Sequence, residues 1–313
     1  MSDAHKSDLY MVVVTLLAAI SWMFSKEAVL MMPPILFIAA RFLLAGAVLA
    51  LISHRMIRIL SRDQIWRSVR VGLVFGVAMS CWIMGLFHAS HVGEGAFLTS
   101  LGVVIVPIIA VLVFREPQSP ATWAAIPVAV AGLALLSLEN GFQPEIGQAY
   151  FVIAATIFAL YFTLNTRAAN TRQVTDRRGQ AVEKTRVPAL PLTALALMTV
   201  GVLALALSLL VESWQPLSAG VSNLLVTWVL LSALVGTAAR FLLQTYAQSL
   251  SPNSHGAVIL VLEPVWVALL ALGWFGETMT LIQFTGCMLI FAALLINRWT
   301  VIGRLIRQRL RRA

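Results

Sequence analysis

Ten separate stretches of this chain are long and apolar enough to cross a bilayer, each close to the ~20 residues a spanning helix needs. They lie near 9–30, 34–53, 70–88, 94–114, 120–138, 148–165, 189–211, 224–246, 255–275 and 279–297. Inside hydrocarbon every backbone N–H and C=O must find its partner within the protein, so stretches of this kind have to be helical. Composition points the same way. Of 313 residues, 60% are hydrophobic and only 11% are charged, against about 25% charged in soluble domains. The expectation is an all-α membrane protein with ten transmembrane helices. The apolar run after Lys6 has no small-residue cleavage site behind it, so it is read as a retained helix rather than a signal peptide.

The formal charge is +9, and its distribution argues for membrane orientation rather than nucleic acid. Basic residues gather in three segments. Arg55, Arg58, Arg62, Arg67 and Arg70 follow the second span. Arg167, Arg172, Arg177, Arg178, Lys184 and Arg186 follow the sixth, and Arg298, Arg304, Arg307, Arg309, Arg311 and Arg312 form the tail. With ten spans, all three fall on the same face as the N-terminus. The opposite loops, 89–93, 139–147, 212–223 and 276–278, hold no Lys or Arg, but do hold Glu139, Glu145, Glu212 and Glu277. Both termini are therefore placed in the cytoplasm. The interleaved Arg and apolar residues of 54–70 also suit a helix lying in the lipid interface.

Two stretches of equal length align without a gap: "GAFLTSLGVVIVPIIAVLVFRE" from Gly95 and "GAVILVLEPVWVALLALGWFGE" from Gly256. The fourth span thus corresponds to the ninth. An odd number of spans separates equivalent positions, so the two halves must insert with opposite orientation. Inverted repeats are typical of secondary transporters, whose sites lie near the midplane between the halves. The divisions expected are a first repeat over 1–138, helix 6 opening the second over 139–165, a basic cytoplasmic connector over 166–188, helices 7–10 over 189–297, and a basic tail over 298–313.

Within the aligned stretches Glu263 pairs with Gly102, and Pro264 with Val103. The first half has no acid at this level, so Glu263 is not needed to build the repeat. A charge at mid-bilayer costs about 2.5–3.5 kcal/mol on insertion scales, and such residues mark ion and substrate paths. A proline within a helix costs about 3 kcal/mol more. Glu263 is the first candidate for proton or cation handling. Its rival reading is a neutral glutamate bonded to a carbonyl freed by Pro264. Arg41 and Arg240 are candidates for an anionic substrate group, or for pairing with Glu263 or Glu94. Trp22, Trp82 and Trp266 are candidates to line the pocket. His88, His91 and Glu94, with His255 at the position equivalent to Glu94, form a candidate gate or proton relay. Their spacing fits no metal site. Cys81 and Cys287 sit in apolar runs and read as buried small hydrophobes. No phosphate-binding loop or metalloprotease motif occurs. No enzyme, cofactor or nucleic-acid role is expected, and the partners implied are a small-molecule substrate and membrane lipid.

The order of these motifs resembles the ten-helix permeases with EamA domains, in the drug/metabolite transporter superfamily. The resemblance rests on "ISWMFSKEAV" and "PPILFIAARFLLAG" in the first two spans, the paired fourth and ninth spans, Glu263-Pro264-Val265, and the closing Gly276-Glu277. It implies two inverted repeats around a central cavity and transport by alternating access, as in bacterial inner-membrane exporters of amino acids, other metabolites or toxic compounds. A facilitative uniporter and a non-transporting scaffold or sensor are the alternatives.

Overall fold

A computed structural model describes residues 3–88, 92–115, 117–137, 146–175, 181–214, 220–250, 259–275, 280–282, 284–286, 288–293 and 296. Helices α1 (Asp3–Val29), α2 (Pro34–Arg58) and α3 (Arg62–His88) come first. Then follow α4 (Val92–Ser100), α5 (Gly102–Leu112), α6 (Pro120–Ser137) and α7 (Ile146–Ala169). After a short hairpin come α8 (Ala189–Val211), α9 (Asn223–Ala233), a π-helical segment (Leu234–Ala239) and α10 (Arg240–Leu250). Helix α11 (Leu262–Phe275) and the apolar segment α12 (Phe284–Ala293) are the last described elements.

The ten expected spans are found in order. Six, among them the composite Asn223–Leu250, are long and apolar enough to cross a membrane, and the other four appear as shorter apolar helices. The polarity is inside out. Leu51, Leu112, Leu210 and Leu281 are each more than 70% exposed, which suits a lipid-facing surface, whereas Ser21, Ser25, Arg41 and Thr237 are buried.

The equivalent helices α2 and α8 run antiparallel. Along α2, Ile35 meets Glu212 and Leu43 meets Gly201, while Gly46 meets Met198 on α8. The partner number falls as the chain number rises, as an inverted repeat requires. Glycine permits this crossing. A Cβ at Gly46 would lie 2.8 Å from the Met198 backbone nitrogen, and one at Gly201 would lie 2.8 Å from that of Leu43. Small residues that let backbones approach are the usual means of helix association in lipid. The last helices repeat the device, since a Cβ at Gly132 on α6 would meet the Gly286 carbonyl at 2.8 Å.

The repeats also exchange their first helices. Helix α1 packs chiefly against α9, α10 and α11, all from the second repeat. Its counterpart α7 packs chiefly against α3, α4 and α5 of the first. Neither repeat closes a bundle without the other.

Local chemistry explains several ends. Ser61 and Gln64 form a reciprocal capping box at the start of α3. Ser222 caps α9 by accepting from Leu225 N–H. The start of α2 is capped from 177 residues away. Pro33 and Pro34 carry no N–H, so Ile35 and Leu36 are the first free donors. They donate to the two carboxylate oxygens of Glu212 at 2.7 and 2.9 Å. Ser208 donates to the same carboxylate at 2.6 Å, and Trp214 donates to Ser208. A carboxylate at the positive end of a helix dipole is favourable. Glu212→Ala should therefore cost about 1–2 kcal/mol, the range for loss of a charged N-cap. An unchanged melting midpoint in detergent would remove Glu212 from the fold's supports.

The basic connector folds in part as an antiparallel hairpin. Strand β1 (Arg172–Thr175) pairs with β2 (Ala181–Lys184), Arg172 opposite Lys184. It docks on the start of α3. Lys184 and Arg67 lie 2.6 and 2.8 Å from the Asp63 carboxylate, the Arg67 contact being ionic rather than a directed hydrogen bond. Arg67 and Gln64 donate to the carbonyls of Thr185 and Arg186.

Candidate functional site

Each fourth helix carries a turn at nearly the same level, the one at Leu101 keeping helical backbone angles (φ −58°, ψ −20°). The first repeat turns at Leu101 between α4 and α5. The second turns at Leu260–Val261, just before α11. Gly102 and Glu263, aligned in sequence, thus both lie within two residues of a turn. This corrects the reading of Pro264 as a helix-interior breaker. Pro264 lies in the first turn of α11, where a missing N–H costs nothing.

Between the turns lies a cavity of about 100 Å³, room for several water molecules. Thr99, Ser100 and Gly102 line it from one turn, and Leu260 and Glu263 from the other. Trp22, Arg41, Trp82 and Arg240 also face it, so five of the ten candidate residues meet here.

Glu263 has both carboxylate oxygens engaged. Trp22 Nε1 donates to Oε1 at 2.7 Å, and Arg240 Nη2 donates to Oε2 at 3.2 Å. The ion pair is largely sequestered, its side chains 17% and 15% exposed. Arg240 Nε is buried without a hydrogen-bond partner, and the guanidinium lies 4.7 Å from the centre of the Phe241 ring. Of the pairings open to Arg240, the one with Glu263 is formed.

Arg41 sits differently. It is 1% exposed, and its bonded partners are neutral. Nε donates to Thr237 Oγ1 at 2.8 Å, Nη1 to Ser25 Oγ at 2.8 Å and Nη2 to Ser21 Oγ at 2.9 Å, with Gly236 O at 3.3 Å. Two of these groups belong to the π segment. That wider turn shifts the backbone ladder, and Thr237 Oγ1 donates to the Ser232 carbonyl five residues back. Gly236 lets α1 approach, since a Cβ there would meet Ser21 Oγ at 2.5 Å. Arg41 thereby ties α1, α2 and the π segment together immediately before Arg240.

The walls are aromatic. Trp22 meets Trp82 edge to face at 4.8 Å, and Phe75 stacks on Tyr161 at 4.0 Å. Phe241 meets Phe75 edge to face. Tyr161, Phe75, the Ser21/Ser25/Thr237 hydroxyls and the π segment were not singled out by sequence. Only the small-residue run "VGTAAR" before Arg240 hints at them.

Two further candidates, Trp266 and His88, do not line the cavity. Trp266 is not among the lining residues, because its indole donates to Thr15 on α1. His88 stands at the exposed end of α3, stacked on Tyr150. His91 and His255 lie outside the described residues, as does the side chain of Glu94.

The pattern of two repeats lining one charged cavity coincides with a family match. The model of the EamA-like transporter family matches this chain twice, over residues 5–138 and 145–299. The chain belongs to the EamA-like transporter family. It is a multi-pass membrane protein of transporter type. This EamA-like chain is also similar to an Archaeoglobus fulgidus protein described as an uncharacterized transporter, 23% identical over 230 residues, spanning 72% of this chain and 67% of the relative. A crystal structure described only as that of a protein shares the fold, with a TM-score of 0.69 and 19% identity over 95% of this chain and 98% of the other.

Proposed function

We propose that this EamA-like protein is a secondary transporter that exports small amphipathic metabolites, such as amino acids and related compounds, by alternating access. Its setting is a bacterial inner membrane with both termini in the cytoplasm, as the basic loops favour. The observation that carries the reading is the cavity between the two turns. It offers the Arg240 guanidinium for an anionic substrate group, one carboxylate, and aromatic walls for an apolar body. A site near the midplane between inverted repeats is a recurring transporter design. The exchange of α1 and α7 supplies two interlocked halves that can rock against each other.

The test is flux through purified protein in liposomes, loaded with a pooled set of metabolites and followed by mass spectrometry. Saturable efflux of carboxylate-bearing amphipathic solutes is expected, reduced at least 100-fold in Arg240→Ala. Flux of no pooled solute, or flux that does not saturate, would overturn the reading.

A further inference from the structure

Two carboxylates cannot share Arg240 without a neutralising charge. Glu263 already holds Arg240 Nη2, at a distance long for a charge-assisted bond. The Nε edge of the same guanidinium is buried and has no partner. Arg41 is the poorer docking group, because four of its five N–H donors are directed at Ser21, Ser25, Thr237 and the Gly236 carbonyl. A substrate carboxylate entering this cavity therefore has Arg240 as its docking group, beside or in place of Glu263. Glu263 is then left close to a like charge in an aromatic enclosure, and like charges at close range cannot both stay ionised.

We infer that Glu263 and Arg240 form a charge-exchange pair, in which a substrate carboxylate takes Arg240 and Glu263 is neutralised by whatever cation the substrate brings. If the substrate carries its own ammonium group, that group replaces Arg240 on Glu263 and no proton is needed. If it does not, a buffer acid in the bathing solution gives up one proton and is left as its conjugate base, and Glu263 gains the O–H bond as the Arg240 contact is lost. Coupling to protons is thus set by the substrate's chemistry. The inference rests on the reading of the cavity as the substrate site.

Among the described residues, the other ionisable groups around Glu263 are cationic, phenolic or engaged elsewhere. Arg41 on α2, Tyr161 on α7 and Arg240 on α10 are those that line the cavity with it. On α1, beyond Trp22, Lys26 donates to the Leu86 carbonyl and Glu27 accepts from Trp274. Among the described lining residues Glu263 is the only carboxylate.

The test uses two ligands of nearly the same shape, L-phenylalanine and 3-phenylpropanoate, which differ by the ammonium group. Binding to the purified full-length protein is measured by calorimetry in buffers of different ionisation enthalpy, which counts protons. 3-Phenylpropanoate is expected to take up about one proton, so its affinity falls as pH rises, roughly 100-fold between about pH 6 and about pH 8. L-Phenylalanine is expected to take up none and to bind independently of pH in that range. In Glu263→Gln, 3-phenylpropanoate binding should lose its pH dependence, and L-phenylalanine should bind at least tenfold more weakly. The wild-type proton count decides the matter even if that variant fails to fold. Equal proton counts for both ligands would overturn the exchange alone. Binding of neither would overturn both the exchange and the substrate reading beneath it.

Discussion

Gly201→Leu is expected to unfold or severely destabilise this protein, with a cost at or above the upper end of the ~1–3 kcal/mol typical of overpacked cores. The reason is backbone contact. A Cβ at Gly201 would lie 2.8 Å from the Leu43 nitrogen, and backbone cannot swing aside as the end of a flexible side chain can. Gly46→Leu should act alike, because its Cβ would meet the Met198 nitrogen at the same distance. These two sites are the mirrored halves of one crossing, so the double variant should cost less than the sum, the helices having already separated. Gly273→Leu on α11 is the control, since nothing lies within 4 Å of a Cβ there. Thermal melting in detergent checks all four variants. If Gly201→Leu melts no earlier than Gly273→Leu, α2 and α8 do not cross as described.

Much of this architecture is visible in the chain before it is folded, and the reasons are physical. Lipid demands helices of set length, so apolar runs count the spans directly. The alignment of Gly95–Glu116 with Gly256–Glu277 carries the inversion, because an odd spacing of spans leaves no other orientation. What stays hidden depends on partners far apart in sequence. Ile35 and Glu212 are 177 positions apart, and nothing local to either announces the cap. The exchange of α1 and α7 is likewise a property of packing rather than of either helix. Arg41 shows a different limit. A buried arginine suggests a carboxylate partner, yet this one is held by Ser21, Ser25 and Thr237, residues that elsewhere in membrane helices simply bond their own backbone. The turns at Leu101 and Leu260–Val261 escape notice because no Gly-Pro pair marks them. Pro264 draws attention to the right place for the wrong reason, since it starts a helix rather than breaking one.

The Arg240–Glu263 pair should prove costly to break and cheap to remove. Glu263→Ala leaves a guanidinium in the cavity without its counter-charge, and Arg240→Ala leaves a carboxylate held only by the Trp22 indole. Removing one partner of a fully buried pair costs about 3–5 kcal/mol, while replacing both with apolar groups is often neutral. A cavity that admits water softens the penalty, so each single variant should lose about 2–3 kcal/mol. Arg240→Met with Glu263→Met should lose less than either single change. Flux in liposomes should be abolished in all three. That combination, stability restored without transport, is what separates a working charge pair from a structural strut. A double variant as unstable as the two singles combined would mean that α10 and α11 depend on the ion pair for their packing, and the pair would then belong to the fold rather than to the movement of substrate.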